Sequence, residues 1–467
     1  MLEQESPSEL RIDFMELITP SNTFDLKNKR NWVVFNMYED IFLDNLTADI
    51  MMNDSMNLPE KLPILGQEFL NFEISSKSIE RGEGTSIKPG SLYTTAITKR
   101  NLVKDRQQLY MLHFTSEQDV INSNTTISQS FRGKKISEIA ETIISEYIDI
   151  NSQNEIVIED TVGIENIVIP GWKPFKALNW LAQRAINRNG VPNYLFWEAN
   201  GTTYFKSIDS IMATEPKQEF IFSPVIDRKT PLAALAEGKT HISSLKILNQ
   251  FNTTRNFING QYASKLITHD IVTKKITQHT FGLEQAYASN INHTDKYMPL
   301  TNEATYYTVA DRNSFAPHGI GTKEVDGESM QSYFDSKVMF HPKHDRMYAK
   351  NTTDEYDNNV EEWKLKRRAL ILGLDQIKLQ ISFPGISYLK VGYMIDIVVP
   401  SADRVVEEKS GIPKNPEDLV DKYLSGHYLI TKLKHTVNWN GGKIQYEMLA
   451  EVVKDALGAP PTYGGSK

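Results

Sequence analysis

Over its first 118 positions the chain sets apolar and β-branched residues into short runs separated by turn formers, a pattern that predicts strands. The runs cover residues 10–19, 32–42, 69–74, 93–103 and 109–114, with Asn53-Asp54-Ser55 and Gly82-Glu83-Gly84 between them. Residues 104–107 fit the connection of a hairpin joining the last two runs. Many short strands with polar turns predict a barrel or a sandwich.

The period then changes. Ile136, Ile139, Ala140, Ile143, Ile144, Tyr147 and Ile148 fall three and four apart, one face of an amphipathic helix. A second helix is predicted from Pro174 to about Asn187. Pro174 suits its first turn, Leu178, Leu181, Ala182, Ala185 and Ile186 form the apolar stripe, and Asn189-Gly190 supplies the stop. Strands are predicted between the helices, over 155–159 and 164–169. Alternation returns over 194–208 around an Asn200-Gly201 turn. From about 240 to 350 only residues 266–278 read as a strand, and the rest, rich in Asn, Thr, Asp and Tyr, reads as irregular.

The C-terminal part has the clearest pattern. A helix is predicted over 360–374. Ile377, Leu379, Ile381 and Phe383 then alternate and stop at Pro384-Gly385, and 391–399 is a further strand. Leu429, Thr431, Leu433, His435, Val437 and Trp439 alternate, Asn440-Gly441-Gly442 turns the chain, and Ile444, Tyr446, Met448, Ala450 and Val452 alternate back. An Asn-Gly turn between two period-two runs is a strong hairpin signal. The predicted fold class is α+β, mainly β: two antiparallel β-barrel domains with a small α/β domain and an irregular insertion. The expected boundaries are 1–118 for the first barrel and 119–195 for the α/β domain. Residues 196–245 with 375–457 form a discontinuous second barrel, 246–374 an insertion that packs in part with the α/β domain, and 458–467 a flexible tail.

Composition narrows the function more than the fold. With 467 residues the chain exceeds what one core serves, and its 40% hydrophobic content excludes a fully disordered chain. A net charge of -8 argues against a dedicated nucleic-acid binder. The absence of cysteine removes disulfides, thiolate metal sites and cysteine nucleophiles together. No signal peptide is visible in the acidic N-terminus, and no apolar run reaches membrane length, so a soluble chain without a membrane anchor is expected.

Three constellations invite an enzymatic reading, and each has a plainer one. His341-Pro342-Lys343-His344-Asp345 has an H-x-x-H shape, but Pro342 opposes a regular helical presentation, and His318 lies in another loop. Both histidines read as loop residues. His269-Asp270 would point to opposite faces of a strand, which prevents an acid–base pair. Gly82-x-Gly84 and Gly319-x-Gly321 complete no phosphate-binding motif and read as turns. Lys364-Leu365-Lys366-Arg367-Arg368, the most basic patch, reads as the solvated face of a helix. No catalytic, cofactor-binding or metal residue is assigned. Among so many carboxylates (59 Asp and Glu) a glycosidase pair remains an open alternative.

Four segments carry a resemblance to a known family. Residues 167–182, which read I-V-I-P-G-W-K-P-F-K-A-L-N-W-L-A, are similar to a strand-to-helix passage of phage baseplate hub proteins. Residues 194–198 and 205–209 resemble the hairpin that follows it there. The run N-G-Q-Y-A-S-K-L-I-T-H-D over 259–270 and Y-L-S-G-H-Y-L-I-T over 423–431 resemble two further segments, in the family's order. The likeness spans residues 110 to 455, while 285–360 departs from the pattern. It implies a homotrimer in which each chain carries two tail-tube-like barrels, so that a ring of six barrels joins the sixfold tail tube to the threefold central spike. The implied partners are the tail tube protein, the central spike protein and neighbouring baseplate proteins. Phage DNA would pass without specific binding, and the implied location is the virion, after assembly in the host cytoplasm. A tail-associated peptidoglycan hydrolase and a receptor-binding tail protein are the competing readings.

Overall fold

The computed structural model describes residues 10–29, 31–76, 86–104, 107–148, 154–222, 236–287, 290–299, 334–343, 360–401, 420–440 and 443–460. The chain is mainly β, with several antiparallel sheets. In the N-terminal region every neighbouring pair is antiparallel. The order runs Thr23–Asp25, Leu10–Ile18, Phe69–Ser76, Leu92–Lys104, Gln107–Ser116, Thr47–Asp54, Trp32–Asp40. Alternation of more and less buried positions makes one face of these strands the core wall, most regularly in Gln107–Ser116, where Tyr110, Leu112 and Phe114 turn inward.

The second β region closes on itself. Glu219–Phe222 pairs with Met394–Val398, which pairs with Gly426–Asn440. The order continues through Lys443–Lys454 and Ile377–Pro384 to Ser244–Asn249. Thr240–Ile242 runs into that last strand through Ser243 and returns to Glu219–Phe222, which completes the ring. The two pairings made by Glu219–Phe222 are parallel, because each partner is reached by a long crossover and not by a tight turn.

One strand joins the two regions. Residues 426–429 of Gly426–Asn440 pair with Met394–Val398, whereas 432–438 pair with Trp32–Asp40. Between them a register shift at Ile430/Lys432 bends the strand from one region into the other. A single hydrophobic core therefore extends from Leu10 through Phe35 and Phe72 to Tyr446 and Leu457.

A second core lies in the α/β unit. Helices Ile136–Tyr147 and Pro174–Ala182 pack against Ile127, Phe131, Ile167 and Ile169 of the paired strands Ile127–Lys134 and Glu165–Trp172. The hairpin Tyr194–Ala199/Thr202–Ser207 walls both cores: Tyr194, Phe196 and Phe205 face the α/β unit, and Trp197 and Ala199 face the large core. Its turn has Asn200 at φ 38° and Gly201 at φ 73°, the left-handed pair a two-residue hairpin needs. The helix from Pro174 ends at Ala182, short of the predicted Asn187. Arg184 N–H already bonds to Leu181 O, and the Asn187 side chain accepts from the Asn189 and Val191 N–H groups, so local bonds replace the helical ladder.

Residues 266–278 are not one strand. Ala263–Asp270 and Ile276–Gly282 form a hairpin, and Val338–Lys343 adds in parallel on the other side. Asp270 Oδ1 accepts from Val272 N and Thr273 N, and Lys274 takes φ 58°. An Asp-led turn with Ile271 and Val272 at its tip lacks the Gly or Pro that marks a turn in sequence. This sheet packs on helix Val360–Gly373 around Tyr262, Leu266, Phe281 and Trp363. Among the described residues no helix is long and apolar enough to cross a membrane.

Candidate functional site

The basic run on helix Val360–Gly373 is not a solvated face; Lys366 and Arg367 tie the insertion to the α/β unit, and Lys364 and Arg368 bond within the insertion. Arg367 donates to three carbonyls, Ala182 O at 3.0 Å, Pro192 O at 3.0 Å and Tyr194 O at 2.8 Å. The first of these ends a helix, where carbonyls have no intrahelical partner. Burial pushes the Arg367 guanidinium down to about 10. Lys366 donates to Gly190 O at 2.8 Å and Arg368 to Asn259 O at 2.5 Å. Lys364 donates to His341 Nδ1 at 2.9 Å, and Lys343 pairs with Glu361 at 2.7 Å.

His341 is on a strand, Val338–Lys343, and not in a loop: Pro342 is tolerated because that strand is at the edge of its sheet. Burial, with Lys364 and Arg184 close by, lowers it to about 4, so it is neutral at physiological pH. His344, His318, Gly82, Gly84, Gly319 and Gly321 lie outside the described residues. His269 and Asp270 stay apart in role: the imidazole lies near the Phe340 ring, centroids 6.2 Å apart, and the carboxylate organises the turn. Among the described residues no group of three or more His, Asp or Glu side chains could hold a metal ion.

Residues 290–299 form a strap between the α/β unit and the end of the last strand. At one end Asp209 accepts from Asn187 Nδ2 at 2.7 Å, Asn189 Nδ2 at 3.1 Å and Asn292 N at 2.7 Å. At the other, Asp455 accepts from Thr294 N and Oγ1 and faces His293 Nδ1 at 2.6 Å. Burial alone would raise the Asp455 carboxyl, but His293 and the Thr294 donors outweigh it and hold it below the usual range. Asp295 pairs with the fully buried Lys454 at 2.5 Å, and Tyr297 and Leu457 exchange backbone hydrogen bonds.

Two buried carboxylates mark the remaining junctions. Glu198 accepts from Leu46 N at 3.3 Å and Ser116 Oγ at 2.5 Å, joining the hairpin to the N-terminal sheet. Glu39 accepts from Val391 N at 3.1 Å, where the N-terminal region meets the second ring. Burial pushes Glu39 up to about 7, against the opposing pull of Val391 N–H, Lys390 and the Asn200 backbone. Sequence patterns do not reveal these joints, because their partners, mostly backbone atoms, lie 82 to 352 residues away.

Among the described residues these polar side chains hold the chain's own units together. No family model matches the chain, and no curated protein matches it in sequence. Among solved structures, the tail protein from Neisseria meningitidis MC58 is similar over 97% of this chain and 100% of its own, at 10% identity and a TM-score of 0.52. The 43 kDa tail protein of prophage MuSo2 from Shewanella oneidensis aligns over 95% of this chain and 99% of its own, at 8% identity and a TM-score of 0.48. The E. coli c3393 protein, a type VI secretion system component with structural similarity to T4 bacteriophage tail proteins, aligns over 96% and 76%, at 10% identity and a TM-score of 0.41. The chain has the fold of the Neisseria meningitidis tail protein.

Proposed function

We propose that the chain is the structural hub of a contractile phage tail baseplate, a homotrimer that joins the sixfold tail tube to the threefold central spike and lines part of the DNA channel. The shared fold with a tail protein, end to end on both chains, is the observation that carries this reading. Two β regions in one continuous sheet support it, since a trimer can mate with a sixfold tube only by offering similar units twice per chain. In this role the chain is a virion component and not an enzyme, it needs no cofactor, and its partners are tube, spike and neighbouring baseplate proteins. Carboxylates and neutral polar groups then line the channel, because lysines there would hold phosphate with salt-dependent affinity. Light scattering over a concentration series, with negative-stain images of the chain mixed with tube and spike proteins, tests the reading. A trimer with a pseudo-sixfold ring is expected. A monomer that persists with both partners present rejects the hub.

A further inference from the structure

One row of side chains crosses from the α/β unit to the insertion and alternates cations with aromatic rings. Trp172, Lys176, Trp180 and Arg184 follow at intervals of four in sequence, from the end of strand Glu165–Trp172 along helix Pro174–Ala182 into the turn beyond. Lys176 Nζ lies 5.0 Å from the Trp172 ring, Trp172 and Trp180 meet edge to face at 5.5 Å, and the Arg184 guanidinium lies 3.6 Å from the Trp180 ring. The row then passes to the insertion. Arg184 is 5.4 Å from the Trp363 ring, Trp363 meets His341 at 6.5 Å, and His341 accepts from Lys364.

Among the described residues, Lys176, Arg184 and Lys364 have no carboxylate at ion-pair distance, and Glu165 and Glu361 act on the row only from longer range. Lys176 is exposed, and Trp172, Trp180, Arg184, His341 and Lys364 are half-buried, so the row reaches solvent. Three cations without a described carboxylate at ion-pair distance thus follow one another along the row, on a chain whose net charge is -8. Half-buried Trp and Arg are also the residue types that dominate protein–protein binding energy.

We infer that this cation–aromatic row is a docking surface for an acidic segment of a partner protein. Single-stranded nucleic acid is the other polyanion to weigh, and the ring geometry disfavours it. Bases need a run of parallel open faces, whereas Trp172 and Trp180 are inclined at 69° and each ring has a cation over it. Lys176 is the exposed end of the row, and the half-buried Arg184 and Lys364 carry N–H donors beyond the ones given to Trp180 O and His341 Nδ1, which suits carboxylates on a flexible chain. The inference goes beyond the hub reading and does not depend on it.

The test uses the purified full chain, a fluorescein-labelled oligoglutamate peptide and a labelled oligodeoxythymidylate of equal charge, with anisotropy read at low salt. The wild type should bind oligoglutamate. The double variant Lys176→Gln/Lys364→Gln should bind it roughly tenfold or more weakly, with an unchanged melting temperature. Arg184→Gln should weaken binding as well, while Lys99→Gln/Arg100→Gln, far away on the N-terminal sheet, should not. No binding by the wild type, equal loss in the control variant, or preferential binding of the oligodeoxythymidylate through the same residues would overturn the inference. The hub reading fails separately: a monomer that binds oligoglutamate through this row leaves the docking surface standing, and a ring-forming trimer that ignores the peptide removes only the docking surface.

Discussion

Glu39 is 2% exposed, and its carboxyl ionises in the folded chain near pH 7 instead of at its ordinary 4.5. Between those values the folded state keeps a proton that the unfolded state has lost. Glu39 therefore destabilises the fold progressively as pH rises through that window, by up to about 3 kcal/mol. Glu39→Gln should match the wild type near pH 4.5 and exceed it above pH 7 by about that amount. His435, buried and lowered to about 3, acts in the opposite direction between 3 and its ordinary 6.5, so the variant–wild-type difference is the quantity to follow. Urea midpoints at acid, neutral and mildly basic pH would show it, and a pH-independent difference would refute the assignment. Arg367 makes a second residue-scale case. Arg367→Met keeps most of the aliphatic stem but strands three carbonyls, for an expected loss of about 3 kcal/mol, whereas Lys366→Met removes one exposed bond and should cost less than about 1 kcal/mol. Equal losses would mean that the carbonyls are satisfied by water.

At the scale of elements, the helix Pro174–Ala182 is held by Phe175, whose ring sits 5.3 Å from Phe196 of the neighbouring hairpin, and by Leu181 in the same core. Trp180 packs at the margin of the same core and turns to Trp172 and Arg184. Phe175→Ala should cost ~3–5 kcal/mol and lower the melting temperature clearly; a change within error would mean that the helix is not anchored there. Period and turn chemistry made this helix, the Asn200-Gly201 hairpin and the long C-terminal hairpin legible in sequence. They failed at strand Thr47–Asp54, where Asp49 and Asp54 interrupt the apolar pattern. Both acids are buried in the fold: Asp49 accepts from Asn36 and Tyr38, and Asp54 from the Met56 and Leu58 N–H groups. A charge that is satisfied by hydrogen bonds looks, in sequence, like a charge in a loop. The basic run 364–368 misleads in the mirror-image way, because most of its partners are backbone carbonyls that leave no mark in the pattern.

At the scale of the whole molecule, the N-terminal β region reads in sequence as a separate barrel domain, and in the fold it shares a sheet and a core with the second ring. Its strand Trp32–Asp40 is paired on one side with Thr47–Asp54 and on the other with residues 432–438, nearly four hundred positions away. Trp32 lies against Trp439 at 5.7 Å, Asn36 accepts from Thr436 Oγ1, and Glu39 takes its hydrogen bond from Val391. Cutting the chain after residue 124 would leave that strand with an open edge, an exposed Trp32 and a stranded Glu39. The fragment 1–124 should therefore aggregate or melt without cooperativity, although the seven described strands ordered above share one sheet. In the full chain, the N-terminal sheet and the second ring should unfold in one transition, since they share both a strand and a core. Hydrogen exchange followed by mass spectrometry can separate the regions. Equal opening free energies for the Trp32–Asp40 and Lys443–Lys454 strands are the expected result. A soluble fragment 1–124 with a sharp melt of its own would show instead that the shared strand joins two units that are each already stable.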